Sequence, residues 1–206
     1  MPRIAAANID EHVRIQNARL TVAAKRLFAR QGFASTDMGQ IAAAIGLARN
    51  SLYRYYPSKE HILLACIRED MAPHLKRLAT LTDDYPNPQQ RIMAWLDMQF
   101  EHATGPKHAT MELMAEVRDA SVKFSSEVQE MHAAPNKVLA GALTELSDDH
   151  ANPETLTAMI GGMVLAATTH ALRLDKAAQP AVCNELKEAV GCLISRPRTH
   201  NKSTGT

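Results

Sequence analysis

The chain has 206 residues, of which 46% are hydrophobic, 22% charged and 4% aromatic. This apolar content is ordinary for a globular protein and excludes global disorder. No apolar run reaches the ~18 residues that a membrane-spanning helix needs, and the first residues lack the apolar core of a secretion signal, so we expect a cytoplasmic protein without membrane contact. The three cysteines form neither a CxxC zinc motif nor a disulfide framework.

The net charge of +1 conceals an asymmetry along the chain. Residues 1–60 contain nine Lys and Arg against four Asp and Glu, which gives +5, whereas residues 61–206 contain fourteen against eighteen, which gives −4. A basic segment followed by an acidic one indicates contact between the first part and a polyanion such as nucleic acid. Chance clustering of charges is the alternative.

Helical periodicity runs through the chain, and no segment has the alternation typical of a strand, so we predict an all-α fold. The first helix is predicted over residues 10–31 and ends at Gly32. Two short helices follow over residues 37–45 and 49–55, separated by Gly46.

Capping residues mark several of the helix starts. Asp37 and Gln40 have the spacing of a capping box at the start of the first short helix. Ser58 is predicted to cap a long helix that reaches Leu81, with an expected kink at Pro73.

The remaining helices are longer. One around Trp95 ends near Gly105, and another holds residues 111–118. The segment 122–146 contains Pro135, which predicts a kinked helix or two helices. The last two predicted helices carry the apolar stripes 156–174 and 182–193, and residues 197–206 form a polar tail that we expect to be disordered.

Residues 37–55 have the pattern of a helix, a glycine turn and a second helix. Ala42 allows close approach of the two helices, Gly46 makes the turn, and Leu47 and Leu52 fill the space between them. This is the pattern of a helix-turn-helix, whose second helix enters the major groove of DNA.

A longer string around this motif resembles the N-terminal signature of the tetracycline-repressor (TetR) family. The resemblance spans residues 15–65 and consists of the segments Gly32-Phe-Ala-Ser-Thr36, Ile41-Ala-Ala-Ala-Ile-Gly-Leu47 and Leu52-Tyr-Arg-Tyr-Tyr-Pro-Ser-Lys-Glu60. It implies a homodimeric, ligand-responsive regulator with a three-helix DNA-binding domain (1–56) and a helical effector-binding and dimerisation domain (57–206).

The resemblance also implies which side chains contact DNA: Thr36, Arg49, Asn50, Ser51, Tyr53, Arg54, Tyr55 and Lys59. Thr36, Tyr53 and Lys59 match phosphate-contacting positions of the family, and Arg49 is also expected on a phosphate. Asn50 and Arg54 are candidates for base contact, with a water-bridging role as the alternative for Asn50 and a structural role for Tyr53. Ala48 stands where the family often has a serine, so the recognition helix is expected to lack a side-chain cap worth ~1 kcal/mol.

Two further sites are predicted in the second domain. A largely apolar effector pocket is predicted from Trp95, Met98, His102, Met111, Met114 and Phe124, although ordinary core packing is the alternative for each methionine. A four-helix dimer interface, with Gly161 and Gly162 allowing close approach, is predicted from Leu156, Ile160, Met163, Val164, Ala167, Leu186, Val190 and Leu193. The alternative is that these two helices pack only within one chain.

Catalytic and metal sites are not predicted. His108, Glu112 and Glu116 share a helical face, but such residues more often form a solvated surface, so no metal or cofactor is expected. The chain lacks the GxSxG, HExxH, P-loop and Rossmann patterns.

The sequence therefore predicts a repressor that binds a palindromic double-stranded DNA operator as a homodimer and is released by a small, largely apolar effector. The alternatives are a helical small-molecule-binding dimer with weak, non-specific DNA binding and, less favoured, a small all-helical enzyme.

Overall fold

The computed structural model describes residues 6–105, 122–146 and 152–195, and the regular elements within these ranges are all α-helices. The all-α prediction is confirmed for this part of the chain. The helices are α1 (Ala6–Gln31), α2 (Met38–Ala44), α3 (Arg49–Leu52), α4 (Lys59–Asp84), α5 (Pro88–Thr104), α6 (Val122–Leu146), α7 (Pro153–Ala171) and α8 (Gln179–Ser195).

Polar caps set several of the helix starts. Asp37 Oδ1 accepts hydrogen bonds from the backbone N–H groups of Gly39 (2.6 Å) and Gln40 (3.0 Å), and Gln40 Oε1 accepts from the backbone N–H of Asp37 (3.0 Å). The predicted capping box is therefore present. Asn152 caps α7 in the same way, because its Oδ1 accepts from the N–H groups of Glu154 and Thr155.

Three helix boundaries differ from the predicted ones. α1 begins at Ala6 rather than at residue 10, and α4 continues to Asp84. α3 stops at Leu52 instead of residue 55, because the N–H groups of Arg54 and Tyr55 bond three residues back, which closes tight turns in place of α-helix. Pro135 lies inside one continuous helix, α6, so the reading of this segment as two helices was wrong.

The predicted helix over 111–118, the candidate metal ligands His108, Glu112 and Glu116, and the tail 197–206 lie outside the described residues. No helix in the described part of the chain has an apolar stretch long enough to cross a membrane.

The chain divides into two compact units. Unit 1 holds α1 to α3, α4 up to Lys76 and the part of α6 up to His132. Unit 2 begins at Arg77 and holds the end of α4, α5, the part of α6 from Ala133, α7 and α8. The functional boundary between residues 56 and 57 stays a prediction.

The core of unit 1 joins α1, α2, α3 and α4. Its fully buried side chains include Leu20, Ala24, Phe28, Ile41, Leu52, Ile62, Leu63 and Ile67. Lys25 of α1 pairs with Asp70 (2.7 Å) and Glu69 (3.0 Å) of α4 at the edge of this core. Together, these contacts place the short helices α2 and α3 on a scaffold made by two long ones.

A buried arginine organises one end of unit 2. Arg91 is 4% exposed, and its guanidinium donates to the carbonyls of Tyr85 (2.9 Å) and Pro86 (3.0 Å) and pairs with Glu145 of α6. A buried guanidinium is tolerated only when its donors are satisfied. Arg91 thereby ties the connection between α4 and α5 to α6.

Gly46 provides a test of the turn geometry. Its φ is +74°, and a Cβ built there meets nothing within 4 Å, so Gly46→Ala adds backbone strain without a clash. We expect a free energy of unfolding lower by ~1 kcal/mol in urea titrations, with most of the loss recovered by Gly46→Asn, since asparagine tolerates this conformation.

The matched control is Gly141→Ala, within α6, where the backbone is helical and a Cβ also meets nothing within 4 Å. This change should stabilise the protein by roughly 0.5–1 kcal/mol because alanine favours helix. A Gly46→Ala protein as stable as the unsubstituted chain would show that the turn does not need the left-handed backbone.

Candidate nucleic-acid interface

The turn between α2 and α3 is closed by two backbone hydrogen bonds. Leu47 N–H donates to Ala42 O (2.9 Å), and Gly46 N–H donates to Ala43 O (3.1 Å), which is the Schellman pattern at the end of a helix. Leu47 packs against the core of unit 1. The direction in which the chain leaves α2 is therefore fixed, and α3 starts two residues later.

The predicted recognition residues lie on α3 and in the turn that follows it. Leu52 is fully buried, whereas Arg49, Asn50 and Arg54 are exposed and Ser51 is half-buried. Ala48 makes no side-chain cap, as the sequence predicts. The structure therefore leaves Arg49 and Asn50 exposed on α3 and Arg54 exposed in the turn that follows it.

Arg49 and Tyr53 form a pair on this surface. Arg49 Nη2 donates to Tyr53 Oη at 3.4 Å, and this contact raises the pKa of the guanidinium, with a smaller contribution from Asp37. Tyr53 is 44% exposed. Its hydroxyl and the charge of Arg49 thus lie side by side, which suits contact with an oxyanion.

Gly39 makes room for this arrangement, a role that the sequence reasoning missed. A Cβ at Gly39 would lie 3.0 Å from Asp37 Oδ1 and 3.8 Å from Arg49 Cδ, so the stem of Arg49 passes over the first turn of α2. The backbone N–H groups of Gln40 and Gly39 lower the pKa of Asp37, aided by the charges of Arg49 and Lys59. Asp37 is therefore ionised at neutral pH beside this basic surface.

Tyr55 and Tyr56 lie closer to the core than Tyr53. Both are half-buried and pack against the core cluster of unit 1, and burial raises the pKa of Tyr56. Contact between Tyr55 and DNA stays a prediction.

Thr36 lies inside the protein rather than on its surface. Its side chain is 1% exposed, and its hydroxyl donates to Gly32 O (2.8 Å) and accepts from Gln31 Nε2 (3.3 Å). Its backbone N–H donates to Phe33 O at 3.2 Å. The hydroxyl and the backbone N–H of Thr36 are thus both engaged within the chain, and its contact with a phosphate stays a prediction.

The ammonium group of Lys59 is also bonded within unit 1. Lys59 Nζ donates to the carbonyls of Phe33 (2.9 Å), Ala34 (3.2 Å) and Thr36 (3.0 Å), and it lies 4.5 Å from the centre of the Phe33 ring. Sequence reasoning missed these contacts because the partners lie 23–26 residues away, beyond any local spacing rule.

Two further side chains bond across the same region, and no local sequence pattern predicts these bonds. Gln31 Nε2 donates to Ser35 O (3.0 Å) and Gln40 Oε1 (2.9 Å), and Arg19 Nη2 donates to Ile45 O (3.3 Å). Each bond connects α1 with the loop before α2, with α2 itself or with the turn after it.

The predicted effector residues are described only in part. Trp95 and Met98 are buried in unit 2, His102 is half-buried, and all three fall on one face of α5. Trp95 Nε1 donates to Pro135 O at 2.9 Å. Met111, Met114 and the side chain of Phe124 lie outside the described residues, so the pocket stays a prediction.

Three of the eight predicted dimer residues are buried inside unit 2, and the predicted interface stays a prediction. Ile160, Leu186 and Val190 are at most 5% exposed, and Leu156, Met163, Val164, Ala167 and Leu193 are half-buried. On its other side, α7 exposes Met159 (50%) and Leu165 (69%) around the exposed Gly162, and Leu172, just past the end of the helix, is 37% exposed. Because α7 is apolar on both faces, its periodicity did not distinguish the inward face from the outward one.

Comparisons with known proteins agree with this geometry. Residues 20–66, from the second half of α1 into α4, match the sequence model described as "Bacterial regulatory proteins, tetR family". The fatty acid metabolism regulator protein of Bacillus subtilis is 22% identical over 123 residues, which cover 60% of this chain and 63% of that protein.

Solved structures share the fold across most of the chain. FadR from Bacillus subtilis in complex with stearoyl-CoA has a TM-score of 0.69 at 20% identity, covering 88% of this chain and 99% of that chain. A Saccharomonospora viridis protein in complex with choline has a TM-score of 0.68 at 14% identity, covering 91% and 97%. At these identities the likeness concerns the fold.

The helices α1 to α3 and the glycine turn define a helix-turn-helix protein with a further helical unit. The chain belongs to the TetR family of bacterial regulatory proteins, as its N-terminal signature predicts. Its alignments span 63%, 32% and 37% of the length of three curated relatives that it matches.

Proposed function

We propose that this protein is a ligand-responsive, DNA-binding transcriptional repressor that acts as a homodimer in the cytoplasm. The observation that carries the proposal is the exposed polar face of α3, fixed by the Gly46 turn and by the buried Leu52. We assign no catalytic step, because the named relatives are regulators.

The exposed side chains of α3 and of the turn after it suit the edges of bases in the major groove. The amide of Asn50 can pair with adenine through two hydrogen bonds, and the guanidinium of Arg54 can pair with guanine in the same way. Both side chains are exposed, so neither must leave the core to reach a groove. We assign base contact to these two residues.

Contacts to phosphates then orient the protein on the duplex. We assign this role to the Arg49 and Tyr53 pair and to the polar groups of Ser51 and Tyr55 around it. Thr36 and Lys59 are bonded within unit 1 in the chain without DNA, and their contact with phosphates stays a prediction.

A palindromic operator requires two copies of the chain. The exposed apolar face of α7 around Gly162 supplies a surface on which a second copy can pack, because Gly162 adds no side chain between two closely approaching helices. With α8, two copies would form a four-helix bundle. The two copies of α3 would then read half-sites about 34 Å apart.

The effector is proposed to be a long apolar molecule, and we take a long-chain acyl thioester as its class. Trp95 and Met98 are an aromatic and a flexible apolar side chain inside unit 2, which an apolar molecule that entered the unit could contact. The same fold occurs in a protein solved with stearoyl-CoA and in one solved with choline, so side chains rather than the fold select the ligand. Release from DNA requires that the effector bind the DNA-incompetent state more tightly.

Sequence-specific binding is tested by selecting duplexes from a random pool and measuring affinities by fluorescence anisotropy. We expect one enriched palindrome, and we expect Asn50→Ala and Arg54→Ala each to lose about 5- to 150-fold in affinity for it, which corresponds to one lost bidentate contact. Arg173→Ala, which removes an exposed charge from unit 2, is the control and should bind as before.

Failure to enrich any palindrome would contradict the proposal. Binding that is weak, indifferent to sequence and steeply dependent on salt would instead support a helical small-molecule-binding dimer.

The dimer surface is tested with Leu165→Glu, which places a charge at the most exposed of the apolar side chains on α7. Because an unpaired charge is costly to bury, we expect sedimentation to show a dimer for the unsubstituted protein and mainly monomer for the variant. Ala177→Glu, on the exposed connection between α7 and α8, is the matched control and should remain dimeric. A dimer unaffected by Leu165→Glu would place the interface elsewhere.

The effector class is tested with stearoyl-CoA, with coenzyme A, stearate and choline as controls. We expect stearoyl-CoA alone to raise the melting temperature, to change the fluorescence of Trp95, which is the sole tryptophan, and to lower operator affinity about tenfold or more. Stabilisation by choline but not by stearoyl-CoA would contradict the acyl class. An unchanged operator affinity despite binding would contradict release by this effector.

A further inference from the structure

The side-chain amide of Gln40, in the first turn of α2, has a fixed orientation. Its Oε1 accepts a hydrogen bond from the backbone N–H of Asp37 (3.0 Å). A backbone N–H can only donate, so the amide atom that faces it must be the oxygen and not the nitrogen. Gln31 Nε2 donates to the same oxygen at 2.9 Å, and the amide of Gln31 is oriented in turn by its bond to the carbonyl of Ser35 (3.0 Å). Two backbone groups therefore determine which way both amides face.

The oxygen and the nitrogen of the Gln40 amide consequently have different roles. Within the described residues, the hydrogen bonds of this side chain are made through Oε1, so the two N–H donors of Nε2 lie on the other arm of the amide. The residue is exposed, which places these donors at the surface of unit 1. A glutamate at this position would close the same capping box but would carry no donor.

The first turn of α2 lies beside the surface that we assign to the phosphates. The stem of Arg49 passes over Gly39, with its Cδ 3.8 Å from the position of a Cβ there, and its Nη2 bonds to Tyr53. Gln40 directly follows Gly39 in the chain. The turn that carries the oriented amide therefore adjoins the Arg49 and Tyr53 pair.

An amide that offers only donors requires a partner that accepts hydrogen bonds. Bidentate pairing of an amide with adenine uses both its oxygen and its nitrogen, and the oxygen of Gln40 is already engaged by two donors. Phosphate oxygens accept hydrogen bonds, and glutamine side chains are among the groups that contact them in protein–DNA complexes. The chemistry of the available atoms thus fits the DNA backbone and does not fit the adenine pair.

We propose that Gln40 is a further DNA-binding residue, whose Nε2 donates to a phosphate oxygen while its Oε1 closes the capping box of α2. The inference rests on the DNA-binding function proposed above. The cap holds the amide in one orientation before DNA arrives, which lowers the entropic cost of ordering this side chain on the duplex.

The test separates the two atoms of the amide by three substitutions in the full chain. Gln40→Glu keeps the acceptor of the cap and removes the donor, Gln40→Lys removes the acceptor and supplies a donor, and Gln40→Met removes both. The matched controls are Gln90→Glu, Gln90→Lys and Gln90→Met. Gln90 is exposed and is the third residue of α5 after its Asn87 cap, so it occupies the same helix position in unit 2.

The first readout is affinity for DNA, measured by fluorescence anisotropy on the selected operator and on a duplex of unrelated sequence. We expect Gln40→Glu and Gln40→Met to bind both duplexes about five- to tenfold more weakly, so that the ratio of the two affinities is unchanged, because a phosphate carries no sequence information. Gln40→Lys is expected to bind at least as tightly as the unsubstituted chain, with a slope of log affinity against log salt steeper by ~0.9 per copy of the chain. The Gln90 variants should bind as before.

The second readout is the melting temperature without DNA, which reports on the cap. We expect Gln40→Glu to melt with the unsubstituted chain, and Gln40→Lys and Gln40→Met to melt roughly 2–4 °C lower, because both lose the acceptor for the Asp37 N–H. Stability then follows the acceptor whereas DNA affinity follows the donor. The neutral Gln40→Met excludes added charge as the cause of weaker binding, and Gln40→Lys excludes loss of the cap.

Two results would overturn the proposal. Unchanged DNA affinity of Gln40→Met would show that the amide does not touch DNA. Affinities that follow the melting temperatures, with Gln40→Glu bound as tightly as the unsubstituted chain and Gln40→Lys as weakly as Gln40→Met, would limit Gln40 to the cap. Because a phosphate contact does not depend on sequence, the comparison holds on any duplex, so a protein that enriches no palindrome would contradict the proposed function and leave this test intact.

Discussion

The burial of Leu52 is the contact on which the proposed DNA-binding surface depends. α3 is four residues long, and a helix of one turn has no stability of its own in water. Its orientation therefore comes from the packing of Leu52 in the core of α1, α2 and α4, and from the Gly46 turn that delivers the chain to it. The exposed side chains of Arg49, Asn50 and Arg54 take their direction from these two features.

Several side chains that hydrogen-bond to backbone carbonyls hold α2 in place on that core. Lys59 and Gln31 donate to carbonyls of the loop before α2, Thr36 bonds back to Gly32, and Arg19 donates to Ile45 at the far end of α2. Loops expose polar backbone groups that require partners, and here long side chains from α1 and α4 supply them. The apolar core and these polar bonds thus hold the same short element in place.

Unit 2 buries paired polar groups and exposes apolar side chains. The buried guanidinium of Arg91 bonds to two backbone carbonyls and the Glu145 carboxylate, and the indole of Trp95 donates to a backbone carbonyl, so these two buried polar groups are paired. On α7 the apolar residues continue to the outer face, where Leu165 is 69% exposed. A single chain leaves that face to solvent, and a second copy would cover it.

The amino-acid sequence by itself determined the helical class, the Asp37 and Asn152 caps, the Gly46 turn and membership of the TetR family. These are local features, because periodicity, capping and left-handed glycines act over a few residues. Only the tertiary structure decided that Ile160 faces inward while Leu165 faces outward, and that Thr36 and Lys59 bond within unit 1. Their partners lie on other helices or on distant loops, and α7 is apolar on both sides, so no spacing along the chain distinguished these outcomes.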